Sequence, residues 1–197
     1  MKYMLAKPEM LNIIGDDGKI YTGGSQEWYT DGWHIKAGCG PTVASNIIKY
    51  KLPELCGSDT QADFLKLMQE MISFITPGLR GVNSSAMFCE GFIKYGENHR
   101  LKFNPNVLEI PCCHAKRPTL DKLCGFILAA LQADSPVAFL NLSNGTLENL
   151  DNWHWVTILA LEPEIMHADI CDQGEIININ LGEWLSSSLL GGAFVYI

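Results

Sequence analysis

Residues 38–42, Gly-Cys-Gly-Pro-Thr, mark the point where the loop-rich first part of the chain changes to a helical pattern. Apolar residues follow at 43, 44, 47 and 48, which is helical spacing, and a proline suits the first turn of a helix. Cys39 is therefore predicted at a helix N-terminus, where unpaired N–H groups and the helix dipole favour a thiolate. Gly38 and Gly40 leave the backbone beside it uncrowded, so that a substrate carbonyl can approach. The motif by itself predicts either a nucleophile or a buried structural cysteine.

The rest of the chain continues with helices and then changes to strands. The apolar spacing predicts helices at 61–75, 84–95 and 119–132, with Thr119 as the N-cap of the last, and a short amphipathic segment at 181–185. Residues rich in β-branched and aromatic side chains predict strands at 101–110, 137–142, 153–161, 165–171, 176–179 and 193–197. Helices first and strands last indicate an α+β fold, and we expect one domain over residues 1–197 with a loop-rich N-terminal segment at 1–34.

Composition and charge exclude several classes of function. With 47% hydrophobic residues and a net charge of -8, the chain has a globular composition and little attraction for nucleic acid or anionic membranes. The first residues lack the apolar core of a signal peptide, and no apolar stretch reaches about 18 residues. The seven cysteines follow no disulfide framework. We therefore expect a cytoplasmic protein with free thiols.

Two further residues complete a chemical pattern with Cys39. His154 lies in Asn-Trp-His-Trp-Val-Thr-Ile, residues 152–158, where alternation puts Trp153 and Trp155 on the face opposite His154. A histidine on a strand is held in one orientation, as a general base must be, although a core histidine is the commoner outcome. Asp172 ends the next predicted strand and is placed to accept the Nδ1–H of His154. Asp169 is a rival carboxylate, but alternation directs it to the opposite face.

The order of these residues resembles the papain-like cysteine peptidases, in particular the bacteriocin-processing type that removes double-glycine leaders and its stand-alone relatives. The resemblance rests on Gly-Cys-Gly-Pro-Thr at 38–42, Ser-Pro-Val at 135–137, Trp-His-Trp-Val at 153–156, Asp172 and Glu-Trp-Leu at 183–185. It implies a helical lobe, with the nucleophile at a helix N-terminus, packed on an antiparallel sheet. It also implies catalysis by Cys39, His154 and Asp172 through an acyl-enzyme. Gly38, Gly40, Trp153 and Trp155 are expected to line the substrate cleft.

The chain departs from this family at the oxyanion hole. Members of the family carry a glutamine a few residues before the nucleophile, whereas the residue six positions before Cys39 is Trp33. Gln26 is the nearest upstream glutamine, and it can reach the site if residues 29–36 bulge. His34 is the alternative donor, and the Cys39 backbone N–H is a third source.

The resulting expectation is a thiol hydrolase acting on a peptide or a small amide. Two alternatives remain open, namely an acyltransferase that uses an amine acceptor and a peptide-binding module without catalysis. Cys-Cys-His at 112–114 lacks the ligand spacing of a zinc site, so neither a metal nor another cofactor is expected.

Overall fold

The computed structural model describes residues 1–197 and confirms the α+β class. The helices are α1 (Gly32–Ala37), α2 (Cys39–Lys51), α3 (Gln61–Phe74), α4 (Ser85–Asn98), α5 (Leu120–Gln132) and α6 (Leu181–Ser187). The strands are β1 (Tyr3–Met4), β2 (Asn12–Ile14), β3 (Ile20–Thr22), β4 (Asn106–Ile110), β5 (Val137–Asn141), β6 (His154–Glu162), β7 (His167–Asp172), β8 (Glu175–Asn180) and β9 (Gly192–Tyr196). The predicted long helices and the strands from β5 onward match these bounds within a few residues.

The main sheet is antiparallel throughout. Its strands lie in the order β4-β9-β5-β6-β7-β8, and β1 pairs with the end of β6, where Met4 lies opposite Ala160. In a pleated strand successive side chains point to opposite faces, so a fully buried strand carries two different sets of contacts. Trp155 of β6 packs in one hydrophobic cluster and Val156 in another. The sheet therefore separates two cores.

The two cores have different helical covers. The cluster on the Trp155 side contains residues of α2, α3 and α4, and the cluster on the Val156 side contains residues of α5 and α6. Helices α4 and α5 begin where the sequence predicts, because polar side chains cap them: the Ser84 hydroxyl accepts the Met87 N–H, and the Thr119 hydroxyl accepts the Lys122 N–H. Helix α1 was not predicted; Asp31 caps it by accepting the Trp33 and His34 N–H groups. Residues 39–50 of α2 are all buried, which makes this helix the centre of its lobe.

The N-terminal segment contains more structure than the loop-rich composition suggests. Strands β2 and β3 form a hairpin closed by Gly-Asp-Asp-Gly at 15–18, and Leu5, Leu11 and Ile13 are buried. These side chains extend both cores. None of the helices is long and apolar enough to span a bilayer.

Trp184 of α6 joins the helix to the sheet near the start of β6. Its indole N–H donates to Asn141 Oδ1 at 2.7 Å and to the Ser143 carbonyl at 3.0 Å. Its ring packs edge-on against Phe139, with the ring centroids 4.7 Å apart. Asn141 in turn lies opposite His154 in the register of β5 and β6. A buried indole thus supports the strand end that carries His154.

We predict that Trp184→Phe destabilises the protein by about 1–3 kcal/mol, because two buried acceptors lose their donor. Urea unfolding followed by circular dichroism measures the loss. Trp33→Phe is the matched control, since the Trp33 side chain is largely solvent-exposed and donates no hydrogen bond to the protein, and it should change stability by less than about 0.5 kcal/mol. Equal effects of the two substitutions would contradict the role given to the Trp184 indole.

Candidate active site

Cys39 is the first residue of α2, as predicted. The Thr42 hydroxyl and the Thr42 N–H both donate to the Gly38 carbonyl and fix the first turn, and the Cys39 N–H, as the first of α2, has no partner within that helix. Such free N–H groups at a helix start stabilise a negative charge. Cys39 is only 7% exposed but lines two cavities, one shared with His154 and the other with Trp153.

His154 and Asp172 meet at one end of the sheet. His154 is the first residue of β6 and Asp172 the last of β7, and these positions coincide in space because the two strands are antiparallel. His154 Nε2 lies 2.7 Å from Asp172 Oδ1. Asp169 is not involved, because its carboxylate accepts from Asn178 and pairs with Lys2.

The ring nitrogen that contacts Asp172 differs from the prediction. The sequence led us to expect Nδ1, but the carboxylate binds Nε2, which leaves Nδ1 as the ring nitrogen available to Cys39, the other neighbour of the imidazole. The choice of nitrogen depends on the rotation of the ring about its side-chain bonds, which the strand pattern does not determine. The order thiol, imidazole, carboxylate is unchanged by this correction.

The pKa of His154 reflects its two neighbours. Burial alone lowers the pKa of this imidazole, but hydrogen bonds and charge from Asp172 and Cys39 outweigh burial and raise the pKa well above its ordinary value. The protonated ring is therefore stable between two acidic groups.

Cys171 shows by contrast how a structural thiol is held in the same region. Its Sγ donates to the Thr22 carbonyl at 2.7 Å, and the side chain is almost completely buried. Burial, assisted by the nearby Asp172 charge, raises the pKa of Cys171 to about 12. Cys171 therefore stays protonated, although it lines the same cavity as Cys39.

A tight hairpin fixes the position of Asp172. Strand β7 ends at Asp172 and β8 begins at Glu175, and the two residues between them, Gln173 and Gly174, have φ of 48° and 81°. Two successive positive φ values are typical of a type I′ turn, which suits the twist of an antiparallel pair. The Gly174 carbonyl accepts the Thr22 N–H at 2.8 Å, so the turn is also tied to the N-terminal segment.

Hydrogen bonds to this same turn hold Gln26 beside the site. Gln173 Oε1 accepts the Ser25 hydroxyl at 2.7 Å and the Gln26 N–H at 3.1 Å. The Gln26 side chain lines the small cavity with Cys39 and His154, and its Oε1 is buried without a partner. That cavity measures about 10 Å³, the size of one oxygen atom or water.

His34 does not reach this cavity. It lies on α1, whose N-cap Asp31 is 3.9 Å from His34 Nδ1, and its ring meets Tyr29 edge-on. Helix α1 occupies part of the segment that was expected to bulge between Gln26 and Cys39. Of the two side chains considered as oxyanion donors, only Gln26 lies beside the thiol.

The two tryptophans that flank His154 have different environments. Trp153 lies just before β6 in a left-handed conformation with φ of 57°, is 45% exposed, and lines the second cavity beside Cys39. Trp155 is 1% exposed, stacks on Phe88, and donates its N–H to the Val82 carbonyl at 2.6 Å. Trp155 thus lines the small cavity beside Cys39, as expected of a cleft residue, but its ring is buried because its strand face packs on the helical lobe.

The glycines beside Cys39 also have a different role from the one predicted. Neither Gly38 nor Gly40 lines either cavity at the thiol. A Cβ at Gly38 would collide with the His34 carbonyl and the Tyr29 ring, and one at Gly40 would press on Val82. Both glycines permit close packing of the helix start, not access of a substrate.

Sequence reasoning missed two residues that hold the site together. Asn46 of α2 is buried, donates to Thr157 Oγ1 at 3.0 Å and accepts the Gly24 N–H at 2.9 Å. Gln173 connects the carboxylate turn to the Gln26 loop. An asparagine within the apolar run of α2 was a visible signal, whereas nothing around Gln173 distinguishes it from an ordinary turn residue.

We predict that Asp172→Asn lowers the pKa of His154, because a neutral amide no longer stabilises the imidazolium. NMR titration of the ring carbons measures the change directly. Asp169→Asn is the matched control, since it removes a carboxylate from the same strand without touching His154. A His154 pKa that shifts equally in both variants would contradict the pairing described above.

Comparisons with known proteins give limited information. No protein-family model matches the sequence, and no curated protein matches it. Among solved structures, the fold is similar to the peptidase domain of Streptococcus ComA, a bifunctional ABC transporter involved in a quorum-sensing pathway. The TM-score is 0.44 with 10% sequence identity, over 81% of this chain and 91% of that chain. The likeness is distant, and the site stands on its own geometry.

Proposed function

We propose that this protein is a cysteine hydrolase that cleaves a peptide or amide bond through Cys39, His154 and Asp172. The observation that carries the proposal is the position of the His154 ring, which binds the Asp172 carboxylate through Nε2 and lines one small cavity with Cys39 at the start of α2. A buried imidazole with these two partners is suited to hold and return one proton.

The proposed reaction has two steps. The Cys39 thiolate attacks the carbonyl carbon of the substrate, and the His154 imidazolium gives its proton to the departing amine, which leaves an acyl group on sulfur. His154 then takes a proton from a water molecule that attacks the thioester, and the carboxylic acid and the free thiolate result. Asp172 holds the ring orientation through both steps and stabilises its charged form.

The small cavity beside the thiol suits the oxygen of the tetrahedral intermediate. Its volume of about 10 Å³ admits a single oxygen atom, and the Gln26 side chain lines it. Gln26 Oε1 is buried without a partner, and because the oxygen and nitrogen of an amide are assigned from their hydrogen bonds, a rotated amide that turns its Nε2 donors to the cavity fits the site. We therefore assign the oxyanion site to Gln26 Nε2 and the Cys39 backbone N–H at the start of α2.

The proposal includes a reducing, cytoplasmic compartment. A nucleophilic thiol must remain reduced, and all seven cysteines are unpaired.

Activation of the thiol can be tested by alkylation. In a Cys112→Ser/Cys113→Ser background, which removes the two exposed thiols, iodoacetamide should modify Cys39 rapidly at pH 5.5. Adding His154→Ala should slow the reaction on the order of 100-fold, because an unassisted thiol is almost fully protonated at that pH. Mass spectrometry of peptides gives the rate at each cysteine.

His167→Ala is the matched histidine control, since His167 contacts Asn178 at the edge of the sheet and should leave the rate unchanged. Hydrolysis of peptide substrates should disappear in Cys39→Ala. A Cys39 rate that does not depend on His154 would favour a binding module without catalysis, and an acylated Cys39 that reacts with amines but not with water would favour acyl transfer.

The Gln173 tether gives a separate test of the oxyanion site. Asparagine tolerates the positive φ of this position but is too short to reach Ser25 and Gln26. We predict that Gln173→Asn weakens inhibition by a peptide aldehyde about 10-fold, and that Gln26→Ala lowers kcat by about 100-fold. Alkylation of Cys39 by iodoacetamide needs no oxyanion site and should be unaffected. If inhibition by the peptide aldehyde is unchanged in both Gln173→Asn and Gln26→Ala, then Gln26 has no part in the mechanism.

A further inference from the structure

Cys39 also lines a second, larger cavity. Its volume is about 360 Å³, and its walls come from α1, from the turn that contains Arg80 and from Trp153. This volume lies within the usual range of ligand sites. The cavity therefore has room for side chains of a bound substrate, in contrast to the small cavity beside Gln26.

The charges on the walls of this cavity all have one sign. Lys36 and Arg80 line it, and no acidic residue does. Neither cation forms an ion pair or a hydrogen bond within the protein, although the chain as a whole carries a net charge of -8. Charges more than about 8 Å away are largely screened at physiological ionic strength, so the two nearby cations determine which ligand charge is favoured.

Two exposed indoles form the apolar part of the same cavity. Trp33 is 43% exposed and Trp153 is 45% exposed, whereas Trp155 and Trp184 are buried. The left-handed backbone at Trp153 is unfavourable for a bulky residue, so the fold tolerates strain while holding this ring at the cavity. Large exposed aromatic surfaces beside a reactive group are typical of a binding site.

The position of His154 shows which part of a substrate enters the cavity. The imidazole lines the small cavity with Gln26 but not the larger one. The leaving amine lies next to His154, which gives it a proton, and His154 does not line the larger cavity. Of the two cavities that Cys39 lines, only the larger has room for side chains, so we assign it to the acyl part of the substrate.

We propose, on the basis of the proposed hydrolase function, that the larger cavity selects substrates whose acyl part carries an acidic side chain in the first or second residue before the scissile bond. Lys36 and Arg80 bind the carboxylate, and the indoles of Trp33 and Trp153 cover the apolar part of the neighbouring residue. The substrate class is an acidic peptide, despite the acidic charge of the whole chain.

Affinity labels test this selectivity without requiring hydrolysis. The probes are dipeptidyl fluoromethyl ketones with Glu or Gln in the residue next to the ketone, and a second pair with Glu or Gln one residue further away. The rate of Cys39 modification, measured by intact mass in the Cys112→Ser/Cys113→Ser background, is divided by the iodoacetamide rate of the same variant. The Glu probe of at least one pair should react about 3- to 10-fold faster than its Gln twin, and the ratio should fall as salt is added.

The double variant Lys36→Glu/Arg80→Glu should reverse this preference. Lys102→Glu/Lys122→Glu is the matched control, because it changes the net charge equally at exposed positions outside the cavity. A Glu-to-Gln ratio of one or less in both pairs, or a preference that survives in the Lys36/Arg80 variant, overturns the proposal. Slow reaction with every reagent, iodoacetamide included, counts against the hydrolase, while the Glu-to-Gln ratio still reports the cavity.

Discussion

The seating of α2 against the sheet depends on the buried side chain of Asn46. Its amide donates to Thr157 of β6 and accepts the Gly24 N–H, so one side chain joins the helix, the sheet and the N-terminal loop. A slip of one helical turn moves this residue by 5.4 Å and leaves its polar groups buried without partners, at a cost of about 1–3 kcal/mol each. Cys39, at the start of the same helix, is thereby held opposite His154.

The chemistry of the site follows from opposing effects on one imidazole. Burial disfavours a charged His154, yet Asp172 and Cys39 together make the charged form the stable one. Cys171, equally enclosed but without a cationic neighbour, has a raised pKa and stays a thiol. In the proposed mechanism the two cysteines that line one cavity differ in role, because Cys39 adjoins the imidazole and Cys171 is held by the Thr22 carbonyl.

Much of this arrangement could be predicted from the sequence. The helix start at Cys39, the strand of His154 and the turn after Asp172 all follow from apolar spacing, β-branched runs and Gly positions, which are local signals. The contact nitrogen of His154, the burial of Trp155 and the packing of Gly38 could not be predicted, because they depend on side-chain rotation and on contacts between distant elements. Local patterns determined which residues meet, and tertiary packing determined how they meet.

The position of Gln26 is a further case in which tertiary contacts, and not local sequence patterns, determine the geometry of the site. Gln26 lies thirteen residues before Cys39, so the sequence could bring it to the site only through a bulge of residues 29–36, and part of that segment is the helix α1. The constraint comes from the far end of the chain, where Gln173 binds both Ser25 and Gln26 and directly follows Asp172. One type I′ turn thus holds the carboxylate that orients His154 and the loop that carries the Gln26 amide. A shift of this turn moves both groups together relative to the thiol, which makes the turn the element on which the geometry of the reacting groups most directly depends.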